Sequence, residues 1–254
     1  MLFFIWNKKL YMSSNTSKKW PKVIPPLTPE QEAISLDFYH YWLQLLASKY
    51  NMLEKFNHGY VVKAANPGFC HTLEIGAGIG EHLYYENLSE EQIKNYVAVD
   101  VRESFIEKIR NVHPQINVLC GDCQDTLPFE DGHFDRIIAI HVLEHLPNLP
   151  AAIREIHRLC NKQSGSFSIV IPCEGGLAYS FARMISTRRI FKKRYNQSYD
   201  WFIKREHINT PNEIFEEIAP YFKKESTNYF PFFVPLTFCN LIIGATFSPI
   251  IHNN

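Results

Sequence analysis

A chain of 254 residues with 46% hydrophobic and 20% charged side chains is globular in composition and long enough to bury a sizeable core. Lysine plus arginine equals aspartate plus glutamate, 26 each, so no bulk field favours nucleic acid and any electrostatic partner must be met locally. The six cysteines, Cys70, Cys120, Cys123, Cys160, Cys173 and Cys239, fall mainly in or beside predicted core elements. Their low density excludes a disulfide scaffold and favours reduced thiols in a cytoplasmic protein.

The opening Met-Leu-Phe-Phe-Ile-Trp-Asn-Lys-Lys is apolar then basic, the reverse of a secretory signal and short of the about 20 apolar residues of a membrane span. It reads as a tail, with Met12 as an alternative start, or as a weak membrane-surface anchor. Residues 13–27, rich in Ser, Lys and Pro, form an extended lead-in. Thr28, Pro29 and Gln31 then sign a helix start, and Ile34, Phe38, Trp42, Leu45 and Leu46 recur at helical spacing to about Tyr50. Phe56 to Tyr60 reads as an aromatic and polar loop ahead of the first strand.

Residues 71–83, His-Thr-Leu-Glu-Ile-Gly-Ala-Gly-Ile-Gly-Glu-His-Leu, organise the rest of the chain. A short apolar run meets three glycines at alternate positions, which predicts strand, tight turn and helix. Glycine lets the backbone turn with positive φ and lets a ligand come close, while a helix start offers free N–H groups. The dinucleotide pattern G-x-G-x-x-G fails, because Glu81 stands three residues after Gly78; the Walker pattern fails too.

Strands and helices then alternate regularly. Strands are predicted at Tyr96–Asp100, Ile116–Cys120, Phe134–Ile140 and Ser166–Ile171, with helices over 103–111 and after Asn148, which is placed to cap it. Such alternation implies an α/β fold with a parallel, doubly wound sheet and ligands at the carboxyl ends of its strands. Asp100, ending the second strand, can accept both hydroxyls of a ribose. The segment from Arg183 to Arg205 holds eight cations against Asp200 alone, with Tyr195, Tyr199, Trp201 and Phe202 between them. Thr210-Pro211-Asn212-Glu213 opens another helix, and two further strands are read at about Glu225–Phe233 and Asn240–Phe247.

Glu74-x-Gly-x-Gly-x-Gly resembles motif I of the class I S-adenosylmethionine-dependent methyltransferases, of the ubiquinone/menaquinone-type small-molecule kind. Asp100, Asp122, Phe134-Asp135 and His141-Val-Leu-Glu144-His145 stand in the family's order and spacing, so the resemblance covers about residues 70–172. It implies a Rossmann-like seven-stranded sheet of order 3-2-1-4-5-7-6 with the last strand antiparallel. Residues 1–60 would be a tail and helical extension, residues 61–254 the methyltransferase domain, and residues 177–209 an insertion capping the acceptor.

By the same resemblance S-adenosyl-L-methionine is the cofactor. Glu74 and the turn of Gly76, Ala77, Gly78 and Gly80 would hold its methionine part, Asp100 the ribose and Asp122 the adenine amine, with Val101 and Cys123 lining the base. His141, His145 and His207 are the candidate bases, His141 also reaching the cofactor, with Glu144 and Glu206 as secondary choices. No metal site is expected, since Cys120-x-x-Cys123 has no second pair at ligand distance. The basic segment suggests a small or lipid-linked anionic acceptor, with peripheral membrane contact as one form of it and nucleic acid disfavoured. A nicotinamide-dependent oxidoreductase and a non-catalytic S-adenosylmethionine-binding protein are the alternatives.

Overall fold

The computed structural model describes residues 19–251; the readings of the amino-terminal tail lie outside them. Seven strands, β1 (Thr72–Ile75), β2 (Tyr96–Asp100), β3 (Asn117–Cys120), β4 (Arg136–Ile140), β5 (Ser166–Pro172), β6 (Phe222–Phe230) and β7 (Ile242–Pro249), form one sheet of order β3-β2-β1-β4-β5-β7-β6. β1 to β5 are parallel and β7 is antiparallel to both of its neighbours. β1, β2, β4 and β5 are buried along their whole length. Their near-continuous apolar runs, rather than alternation, are what a sheet covered on both faces requires.

Nine helices cover it among the described residues: α1 (Pro29–Lys49), α2 (Asn51–Lys63), α3 (Glu90–Lys94), α4 (Glu103–Val112), α5 (Leu149–Leu159), α6 (Leu177–Ile185), α7 (Thr187–Tyr195), α8 (Asp200–Glu206) and α9 (Pro211–Ile218). Three open on reciprocal capping bonds between Thr28 and Gln31, Ser89 and Gln92, and Thr210 and Glu213. The Ser89 box lies in a stretch given no element from the sequence. Asn148 precedes α5 but its side chain makes no capping bond.

Two sequence expectations are corrected. Phe56–Tyr60 is helical, inside α2, because Leu53, Phe56, Tyr60 and Val61 pack together against Ile138, Ile140, Val170 and Ile242 of the sheet. The glycine turn opens not into an α-helix but into a 3-10 turn, Glu81–Tyr85. There His82 is buried against Glu86 at 2.6 Å, and Glu86 in turn pairs with the buried Arg136 at 2.6 Å, so side-chain pairing fixes this stretch.

α1 closes the molecule on one side. Phe38, Tyr39 and Trp42 form a cluster with Phe105 of α4, Phe191 of α7 and Phe202 of α8, and Ile79 of the glycine turn packs on it. The amino-terminal helix and helices α7 and α8 thus build one aromatic layer beside the turn. Its rings meet edge to face, Phe38 on Phe191 at 5.0 Å and on Phe202 at 5.3 Å.

Candidate active site

At the carboxyl ends of β1 and β2 the backbone reverses through Gly76, Gly78 and Gly80, with φ of 66°, 60° and 88°. A side chain is strained in this left-handed region, so glycine is what permits the turn. The buried carboxylate of Asp100 holds it from below: Oδ2 accepts from the Gly78 amide at 3.1 Å, and Oδ1 from the Arg102 amide at 3.0 Å. Ala77 donates to the Val99 carbonyl at 3.0 Å.

A narrow crevice runs beside the turn, walled by Gly76, Val99, Asp100, Val101, Asp122 and Cys123, with Val142 and Leu146 opposite. Asp122 closes a local turn onto the Gln124 amide at 2.9 Å. Cys123 is buried, and burial pushes its thiol well above the usual range, so it serves as an apolar wall. The chemistry of the lining, apolar walls with two carboxylates, is what an adenosine needs: valines and leucine for the base, acids for hydroxyls and an amine.

Glu74 lies deeper. The Tyr96 hydroxyl donates to its Oε2 at 2.8 Å, and burial pushes its carboxyl up to about 8. It is therefore an uncharged group beneath the turn and not part of the crevice wall.

His141, at the end of β4, has φ of 54°, a conformation uncommon outside glycine but one that histidine tolerates better than most residues. Its Nδ1 is 3.1 Å from Glu144 Oε1. Burial holds the imidazole well below its usual pKa, so it is neutral near pH 7. With Nδ1–H given to Glu144, Nε2 keeps its lone pair. Burial pushes the Glu144 carboxyl up to about 7 against the opposing pull of His207.

The residues 205–209 and 141–146, far apart in sequence, are clamped together. The Glu144 carbonyl accepts from the Ile208 and Asn209 amides at 2.9 and 3.0 Å, and the Asn209 side chain donates to the Leu143 and Leu146 carbonyls. His145 Nδ1 donates to the Glu206 carbonyl. His207 Nδ1 meets Glu174 Oε2 at 2.8 Å, and Arg183 reaches the same carboxylate at 2.6 Å. Burial would raise Glu174, but His207 and Arg183 hold it down to about 2. Among the described residues, Glu144, His145 and His207 are the group that could hold a metal ion, one ligand atom of each lying within 4.8 Å of the others. Of the three candidate bases, His141 is the one that lines the large open chamber.

That chamber is a cavity of about 450 Å³. Trp42, Tyr50 and Leu53 come from the α1–α2 junction, Tyr179, Ala182 and Arg183 from α6, and Phe230, Leu241 and Ile242 from the ends of β6 and β7, with His141 and Pro172 at its floor. Sequence reasoning expected His141 and the 177–209 stretch near an acceptor but placed none of the other wall residues there, nor Glu174; the wall comes from six separate stretches that share no motif.

The basic segment is less free than its sequence suggests. Arg183 pairs with Glu174, Arg188 with Asp200 and Arg194 with Asp37, while Arg205 donates to the Pro25 carbonyl. Two of those acids lie outside the segment, which is why a local count of charges did not find them.

Residues 73–169 match the methyltransferase domain family. The chain carries a class I S-adenosylmethionine-dependent methyltransferase domain. A stretch of 102 residues is 33% identical to sterol 4-C-methyltransferase strm-1 of Caenorhabditis elegans, covering 39% of this chain and 30% of that protein's length. In fold, the chain is similar to a TehB-like S-adenosylmethionine-dependent methyltransferase from Corynebacterium glutamicum, with a TM-score of 0.58 and 17% identity over 86% of this chain and all of that one. It is also similar to the N-methyltransferase NodS of Bradyrhizobium japonicum, solved with S-adenosyl-l-homocysteine, with a TM-score of 0.53 and 12% identity over 81% of this chain and 90% of that one. The methyltransferase domain thus contains the crevice and His141, whereas most of the cavity wall lies outside residues 73–169.

Proposed function

We propose that the protein transfers the methyl group of S-adenosylmethionine to a largely apolar, lipid-like small molecule bearing one polar or anionic group. One observation carries this reading: the chamber beyond His141 is walled mainly by carbon, with His141 and Arg183 as its ionisable imidazole and guanidinium and Asn51, Asn57, Ser186 and Thr187 as its other polar side chains. Convergent polar groups in an apolar cavity are the ordinary form of a small-molecule site. The sterol methyltransferase relative, by its name, acts on an acceptor of this chemical kind.

The glycine turn, Asp100 and Asp122 would hold the cofactor, whose sulfonium supplies an already activated methyl group. The chain's own part is alignment and proton management. The cavity fixes the acceptor, and the apolar walls exclude water. His141 Nε2 takes the proton from an oxygen or carbon acceptor, and Glu144 orients the ring and stabilises the imidazolium formed. Arg183, steadied by Glu174, meets the acceptor's polar end.

The test is to incubate the protein with methyl-labelled S-adenosylmethionine and a cell extract split into organic and aqueous phases. Label should appear in the organic phase and depend on His141. Label confined to the aqueous phase would overturn the acceptor class.

A further inference from the structure

α6 is apolar on two sides. Tyr179 and Ala182 face the cavity, while Leu177, Phe181, Met184 and Ile185, at helical spacing, are exposed, Leu177 to 75%. A helix of a soluble domain ordinarily has one apolar stripe, buried. Against the start of α6 lies the β6–β7 loop, the Ala178 amide donating to the Phe238 carbonyl at 2.8 Å. This loop exposes Phe232, Phe233, Val234, Leu236 and Phe238, Phe233 to 70%.

The loop is built to do so. Buried Asn240 donates to the Val234 and Leu236 carbonyls at 2.9 Å each and accepts from the Phe232 amide at 3.0 Å. The polar core of the loop is thus satisfied internally, and its large side chains point outward. No charged residue occurs anywhere in 226–251. Single exposed apolar residues are ordinary, but a contiguous cluster marks an interaction surface. The cavity lies directly behind it, since Phe230 and Leu241 at the loop's two ends and Ala182 of α6 are wall residues.

Charge identifies the partner. α7 comes directly after α6 and Ser186 and carries Arg189, Lys192 and Lys193, all exposed and without ion pairs among the described residues. An uncharged aromatic surface flanked by free cations matches the acyl boundary and anionic headgroups of a bilayer. We propose that α6 and the loop 231–239 dock on the surface of an anionic lipid membrane, seating the cavity mouth against the lipid so that the acceptor enters from it. The acceptor route rests on the function proposed above; the docking surface does not. Among the described residues no helix is long and apolar enough to cross a membrane, so the contact is at the surface, with side chains reaching about 5–10 Å into the headgroup and acyl boundary.

The test is co-sedimentation of the full chain with phosphatidylcholine vesicles, with and without phosphatidylserine. The wild type should sediment with both and more strongly with phosphatidylserine. Phe181→Glu with Phe233→Glu should weaken binding about tenfold or more, given what burying one Phe side chain contributes. Lys192→Gln with Lys193→Gln should remove the phosphatidylserine increment alone. Wild-type affinity for S-adenosylhomocysteine in each variant shows that it is folded. Wild type left in the supernatant, or a Phe double variant that sediments as wild type does, would overturn the proposal. So would sedimentation velocity showing a dimer that the Phe variant dissolves, since the patch would then be covered by a second copy. Vesicle binding without any S-adenosylhomocysteine affinity would defeat the methyltransferase reading and leave the surface standing.

Discussion

His141 and Val142 are neighbours in the chain and wall different chambers: Val142 closes the crevice beside the glycine turn, and His141 the apolar cavity. The left-handed backbone at His141, φ 54°, accompanies this division. Strained backbone at a buried polar residue is common at functional sites.

The first prediction rests on that position. His141→Asn keeps a residue that tolerates positive φ and removes the base, so turnover should fall about 10²–10⁴-fold with cofactor affinity nearly unchanged. Because burial holds the His141 pKa well below 6.5, its neutral, basic form persists on acidification. The acid limb of kcat/KM should therefore lie below the ordinary imidazole range. A limb at the ordinary value, or normal turnover in the variant, would remove His141 from catalysis.

Glu74 offers a test through stability. Its folded pKa, about 8, is raised above the ordinary 4.5, so the folded state binds the extra proton between those values. The resulting stability is full below about pH 4.5 and is lost as pH rises through about 8. Glu74→Gln, which cannot ionise, should flatten this loss, gaining on wild type by a few kcal/mol in total across the window. Urea melts at pH 5 and pH 8.5 measure it; parallel pH dependence of the two proteins would show that Glu74 is charged in the fold.

Gly244 is held small by Tyr60. A Cβ there would stand 2.5 Å from the Tyr60 ring, whose hydroxyl bonds Thr246 at 3.0 Å. Gly244→Ala should destabilise by about 1–3 kcal/mol through overpacking. In Tyr60→Ala the same substitution should cost much less, because the clashing ring is gone. Additive losses in the double variant would show that the two do not meet.

The centre of the sheet was legible because β1, β2, β4 and β5 are fully buried, largely apolar runs, and Glu74-x-Gly-x-Gly-x-Gly with Asp100 ordered them. The crevice was legible for the same reason, its wall residues standing at strand ends. The cavity was not: Trp42, Tyr179 and Ile242 carry no common spacing and meet only through the fold. The pairing within 183–205 was not legible, because Arg194 finds Asp37, 157 residues away, and Arg183 finds Glu174. Local charge counting cannot see partners that tertiary structure brings in. Phe56–Tyr60 misled because burial against β4 and β5 outweighs its loop-like composition.

The central claim is that the crevice between Gly76, Asp100 and Asp122 binds the adenosyl cofactor, and calorimetry tests it most directly. S-adenosylhomocysteine should bind the wild type with micromolar-range affinity, and NAD should not compete. Asp100→Ala should weaken binding by about 1.5–3 kcal/mol, the range for hydrogen bonds to a charged group, while the protein stays folded by circular dichroism. Unchanged affinity in folded Asp100→Ala, or NAD binding in place of S-adenosylhomocysteine, would contradict the account.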